Sequence, residues 1–190
     1  ITTGFGILAN TRINESDTAT LQYKILQSHS VGVGEAVPED IARLMLITKV
    51  HSLAQAFSGV QLATLERILW HLEADVVPVV PVKGSVGASG DLAPLAHLFL
   101  PLIGLGEVFY KGSRQQTGAV LHTLGMEPIQ LGPKEGLALI NGTQFILSYA
   151  IKAAERMHYC LEAADIIGAM SLEALTGTKA PFDERLHKLR

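Results

Sequence analysis

The stretch GSVGASGDLAPLAHL, residues 84–98, places Gly84, Gly87 and Gly90 three residues apart directly before an apolar run. Such small residues bring almost no side-chain chemistry, but they let a backbone come very close to itself. The spacing fits none of the common glycine loops. A phosphate loop needs G-x-x-x-x-G-K-[ST], whereas Lys83 precedes Gly84. A dinucleotide fingerprint needs G-x-G-x-x-G, and a nucleophile elbow needs G-x-S-x-G; GASG supplies neither. Ala88-Ser89-Gly90 does allow one reaction. Attack of the Gly90 nitrogen on the Ala88 carbonyl carbon closes a five-membered ring, and Gly90 has no Cβ to block the approach. Loss of water from the ring and from Ser89 leaves a conjugated methylidene, an electrophile that no ordinary side chain provides. The surroundings must hold the backbone strained for this to occur. A helix starting at Asp91 would aim its positive end at the ring and stabilise negative charge there.

Other residues carry weaker signals. Asn141, in NGTQ, breaks a helical pattern and offers a side-chain amide. His29 ends an amphipathic helix, where an imidazole either caps carbonyls or projects into a cavity. Asp91 occupies an N-cap position and can also support ring closure. His51, His71, His97, His122, His158 and His187 lack metal-ligand spacing and read as structural, so no protein-bound metal is expected. Cys160 is the single cysteine; it reads as a core residue of a protein in a reducing compartment.

These residues must be positioned by helices. The 190 residues suffice for one domain with a real core. Apolar residues make up 48% and charged residues 17%, a globular composition. The mean hydropathy of +0.29 requires burial of the surplus, in a helical core or against other subunits. A net charge of −3 gives no electrostatic footprint for nucleic acid. The longest apolar stretch, residues 92–105, contains Pro94, His97, Pro101 and Gly104 and is too short for a membrane span. Helices are expected over residues 17–30, from Pro38 to about Phe57, over 62–72, from near Asp91, over 116–124, and from Pro133 almost to the end with breaks at NGT and around 177–181. Ile41, Leu44, Met45, Thr48 and Ser52 form the expected inner face of the second helix. Pro78 and Pro81 hold their neighbours extended, and 107–110 reads as a strand before a Lys111-Gly112 turn. The fold class is mainly α: a long-helix bundle with a few short strands.

The segment GSVGASGDLAPLAHL resembles the signature of the aromatic amino acid ammonia-lyases, and the resemblance runs along nearly the whole chain. TGFG (3–6), SHSVGVGE (28–35), FSGV, KEGLALINGTQ and APFDERLH match that family in order and spacing. The resemblance implies the fumarase/aspartase-like ammonia-lyase architecture. It implies that Ala88-Ser89-Gly90 self-condense into a methylidene-imidazolone (MIO) group, with no external cofactor. It places Asn141 beside that group as a catalytic residue, makes His29 a substrate-binding residue and Asp91 a support of the group. Ser28-His29 and KEGLALINGTQ are most similar to the histidine-acting branch, which releases ammonia from L-histidine; tyrosine- or phenylalanine-acting lyases and aminomutases are the alternatives. The implied partners are a small amino acid substrate and further copies of the chain, a cytoplasmic homotetramer, without nucleic acid or membrane. The family's loop reads Tyr-Gly-x-x-Thr-Gly-Phe-Gly, and Ile1 stands at the first x. The acid/base tyrosine would therefore lie two residues earlier. On this reading residues 1–190 are an N-terminal and central part of a lyase, with the MIO-forming loop at 83–91 and the start of the long-helix bundle, inactive as isolated.

Overall fold

The structure is a computed structural model and describes residue 4, residues 10–88 and residues 90–188. The chain divides into two compact units, Ile1–Tyr149 and Ala150–Arg190.

In the first unit, α1 (Glu15–His29), α2 (Glu39–Ala54), α3 (Leu62–Glu73) and α4 (Leu92–Phe99) surround one apolar core. The octapeptide of α4, LAPLAHLF, is apolar on every side, which suits a helix enclosed on all sides. It packs against α1, α2, α6 (Glu135–Ile140), β2 (Val77–Pro78) and β3 (Pro81–Lys83). Pro94 is tolerated because first-turn amides have no partner inside a helix. α1 and α6 approach closely at Gly136, where a Cβ would run into Ile25 and Gln22. The Gly136 amide instead donates to Gln22 Oε1 at 2.9 Å.

Two small antiparallel sheets complete this unit. β1 (Val33–Ala36) pairs with β3, Val33 opposite Lys83 and Ala36 opposite Pro81. β2, β4 (Glu107–Tyr110) and β5 (Ser113–Gln116) form a three-stranded sheet in the order β2-β4-β5. The Lys111-Gly112 turn, with both residues at positive φ, returns the chain from β4 to β5. The short α5 (Thr117–Thr123) follows, and Val120 joins Val76 and Val108 in a second, smaller cluster.

α7 (Gln144–Ala174) begins in the first unit and continues into the second, which also holds α8 (Glu184–His187). Here Met157, Leu161, Ile166, Ile167 and Met170 are 59–65% exposed. Cys160 is exposed as well, which corrects its reading as a core residue: none of the described residues covers its turn of α7. No helix among the described residues is long and apolar enough to cross a membrane.

Three local expectations also change. α2 ends at Ala54 rather than near Phe57, and Ala56 has φ 63°. Its buried stripe is Ile41, Ala42, Met45, Leu46, Lys49 and Leu53, turned from the expected face, and Ser52 is exposed. β1 and β5 were not expected; both are polar or glycine-containing strands whose pairing comes from their partners.

Candidate functional site

The glycine loop enters from β3 and leaves into α4. Gly84, Gly87 and Gly90 all have positive φ, at 155°, 68° and 100°. At Gly90 the chain presses on the NGT break: a Cβ there would collide with the carbonyl oxygen of Gly142. The same carbonyl accepts a hydrogen bond from the Asp91 amide at 2.7 Å. The loop and the break, 52 residues apart between Ser89 and Asn141 in sequence, thus meet backbone to backbone at Gly90 and Gly142. Ser89 itself lies outside the described residues.

Asp91 is fully buried. It stands at the N-cap position of α4 without a side-chain bond to that helix. Its Oδ1 accepts from Ser85 Oγ at 2.7 Å and its Oδ2 from the Ile146 amide at 3.0 Å. One carboxylate therefore ties the glycine loop to the third residue of α7 and caps α7 from a distance. The expected cap of α4 by this side chain is corrected to a cap of α7, because the Ile146 amide comes within reach only in the folded chain.

Asn141 ends α6 in an extended conformation, with its amide nitrogen donating to Leu137 O at 3.0 Å and its side chain exposed. Its carbonyl receives the Lys49 ammonium at 2.7 Å. Gln144, two residues past Gly142, is 7% exposed, and its Oε1 has no hydrogen-bond partner among the described residues.

His29 is half-buried at the last turn of α1. Its Nδ1 lies 2.8 Å from the Ile25 carbonyl, so Nδ1 carries the proton and donates it, leaving Nε2 as an acceptor. A cavity of about 310 Å³ opens beside it, lined by Gly4, Thr11, Ile13, Leu21, Ser28 and His29 among others. None of its described lining residues comes from the glycine loop or from NGT. The following segment does reach the loop: a Cβ on Gly84 would stand 3.0 Å from Gly32 Cα, and the Gly32 amide donates to His97 Nε2 at 3.0 Å on α4. Burial lowers the His97 pKa, which keeps that ring neutral and able to accept.

Sequence reasoning did not single out Lys49 or Gln144. The signal for Lys49 was present in the line Ala42, Met45, Leu46, Lys49, Leu53, whose 3-and-4 spacing runs along one helix face. Among the described residues no group of three or more His, Cys, Asp or Glu could hold a metal ion.

A profile of the family described as "Aromatic amino acid lyase" matches residues 1–190. This chain belongs to the aromatic amino acid lyase family. A histidine ammonia-lyase of Idiomarina loihiensis is 47% identical over 190 residues, all of this chain and 37% of that protein. The crystal structure of histidine ammonia-lyase from Trypanosoma cruzi superposes with a TM-score of 0.92 at 40% identity, covering 100% of this chain and 37% of that one. A tyrosine aminomutase from Streptomyces globisporus superposes with a TM-score of 0.89 at 37% identity, covering 96% and 34%. The chain thus has the ammonia-lyase and aminomutase fold and spans 37% of the length of the curated relative it matches.

Proposed function

We propose that this chain is the N-terminal and central part of a histidine ammonia-lyase, which converts L-histidine to trans-urocanate and ammonia. The observation that carries the reading is the junction at Gly90, where positive φ and contact with the Gly142 carbonyl exclude any side chain. An Ala-Ser-Gly triad cyclises only where the backbone is held strained, and Ala88-Ser89-Gly90 run into this junction. Residues 88–90 fit the MIO group in composition, and the tight contact at Gly90 fits the close backbone approach that ring closure requires. Once formed, the group supplies an electrophile that activates the substrate for loss of ammonia.

The remaining work belongs to the chain's own side chains. Asp91 anchors the loop through Ser85 and Ile146. We assign to Asn141 the orientation of the substrate amine, a role that its exposed position one residue before Gly142 supports. The Nε2 lone pair of His29 accepts from the ring N–H of a histidine substrate. The relatives named histidine ammonia-lyase favour that substrate. A second reading, a tyrosine-acting lyase or aminomutase, is supported by the tyrosine aminomutase likeness, because a phenol O–H can also donate to Nε2. A phenyl ring offers no such donor, which disfavours phenylalanine. The exposed apolar residues of α7 support a homotetrameric parent, and the lone Cys160 is in keeping with the cytoplasm.

Intact mass and turnover of the full-length parent test this reading. Two lost waters lower the mass by about 36 Da, and histidine should yield the absorbance of urocanate. A full-length parent with the plain-sequence mass sinks the MIO assignment. Turnover of tyrosine without turnover of histidine moves the parent to the second reading.

A further inference from the structure

Lys49 is 1% exposed and is among the largest fully buried side chains of the described residues. It lies on the inner stripe of α2 between Met45, Leu46 and Leu53. Its ammonium donates to the Asn141 carbonyl at 2.7 Å, across 92 residues of sequence. Among the described residues no carboxylate lies within 4.0 Å of it. Burial lowers its pKa to about 8, so the group is mostly cationic at neutral pH although the fold disfavours the charge. A methionine would fill the same space without that cost. With no carboxylate beside it among the described residues, the buried ammonium has its role at its acceptor.

That acceptor is one half of the Asn141–Gly142 peptide. The other half, the Gly142 nitrogen, would stand 3.2 Å from a Cβ on Gly90. The peptide thus has the ammonium on its carbonyl side and the glycine loop on its amide side. A charged donor on a carbonyl strengthens and restrains the peptide it touches.

We propose that Lys49 is a positioning residue for the lyase reaction: its ammonium holds and polarises the Asn141–Gly142 peptide, and through it orients the Asn141 side chain at the Ala88–Gly90 loop. The inference rests on the ammonia-lyase reading of this site. It assigns a role in the chemistry to α2, which meets the break through the Lys49 ammonium.

The test uses the full-length parent and Lys49→Met, Lys49→Arg and Lys49→Gln. For Lys49→Met we expect an unchanged or higher Tm, a retained two-water mass deficit and KM within threefold. We also expect kcat lowered at least tenfold, and amide exchange across residues 141–147 at least tenfold faster. A kcat within threefold of wild type, unchanged exchange, or loss of the mass deficit overturns the proposal. Lys49→Arg keeps the cation and should hold kcat within fivefold, whereas neutral Lys49→Gln should fall at least tenfold. Equal kcat in these two overturns it whether or not the methionine variant folds. A wild-type parent without mass deficit or turnover sinks the lyase reading instead, and the exchange measurement still decides whether Lys49 restrains the peptide.

Discussion

Asp91 concentrates more of the site's geometry than any other single side chain described. It is fully buried, and both of its oxygens are engaged, by a hydroxyl from the loop and by an α7 amide. Removing the carboxylate leaves Ser85 Oγ and the Ile146 amide to find other partners inside the protein, where an unmade bond costs most. Asp91→Ala should destabilise the chain by about 3 kcal/mol, read as a lower urea midpoint, and a shift within error of zero would show that water replaces the carboxylate. His29 makes a different kind of prediction. Its Nε2 acceptor has value only for a substrate that carries a donor. In the full-length parent, His29→Leu should lower kcat/KM for histidine and raise relative activity on phenylalanine by about tenfold, from 1–3 kcal/mol for one unpaired buried group. An unchanged histidine-to-phenylalanine ratio would make His29 a cap of α1 and nothing more.

At the scale of elements, the join between α3 and β2 depends on a neutral imidazole. His71 closes α3, is 1% exposed, and bonds the Val76 carbonyl at 3.0 Å through Nδ1. Its Nε2 has no hydrogen-bond partner among the described residues, and Trp70 meets its ring edge-on at 5.0 Å. Burial pushes its pKa down to about 4; the bond to Val76 opposes this weakly, and Arg67 adds a small push in the same direction as burial. A folded pKa below the ordinary value of 6.5 means that the unfolded chain binds the proton first. The stabilisation is therefore complete above about pH 6.5 and is lost as the pH falls towards 4, by up to roughly 3 kcal/mol. Urea midpoints at pH 7.5 and 4.5 should differ accordingly, and His71→Phe should flatten that dependence; an equally steep loss in the variant would assign it to other groups.

For the whole molecule, the composition and the structure point the same way. The first unit buries an apolar core but leaves Phe57, Leu62 and Val86 open, and in the second unit Met157, Leu161, Ile167 and Met170 are open as well. Exposed apolar surface on this scale marks an interaction surface or an aggregation liability. Residues 1–190 alone should sediment as an oligomer or bind a hydrophobic dye strongly. A clean monomer without dye binding would mean that these side chains need no partner, and it would remove the support that α7 lends to a tetrameric parent.

The sequence by itself determined what neighbours along the chain decide. Pro78 and Pro81 excluded helix, the Lys111-Gly112 turn followed a strand, and the glycine segment announced a loop where backbones approach, which the structure contains at Gly84 and Gly90 though not at Gly87. Ordered blocks from TGFG to APFDERLH carried the family. Tertiary structure decided what depends on which surfaces meet. The inner face of α2 turned towards Ala42, Leu46 and Lys49, because neighbouring stripes on one helix differ by a single 100° step and only the packed partners choose between them. Asp91 occupies the cap position of α4 yet serves α7, and Lys49 reaches a carbonyl 92 residues away. Such bonds form when a donor and an acceptor share one buried point, and no spacing along the chain encodes that coincidence.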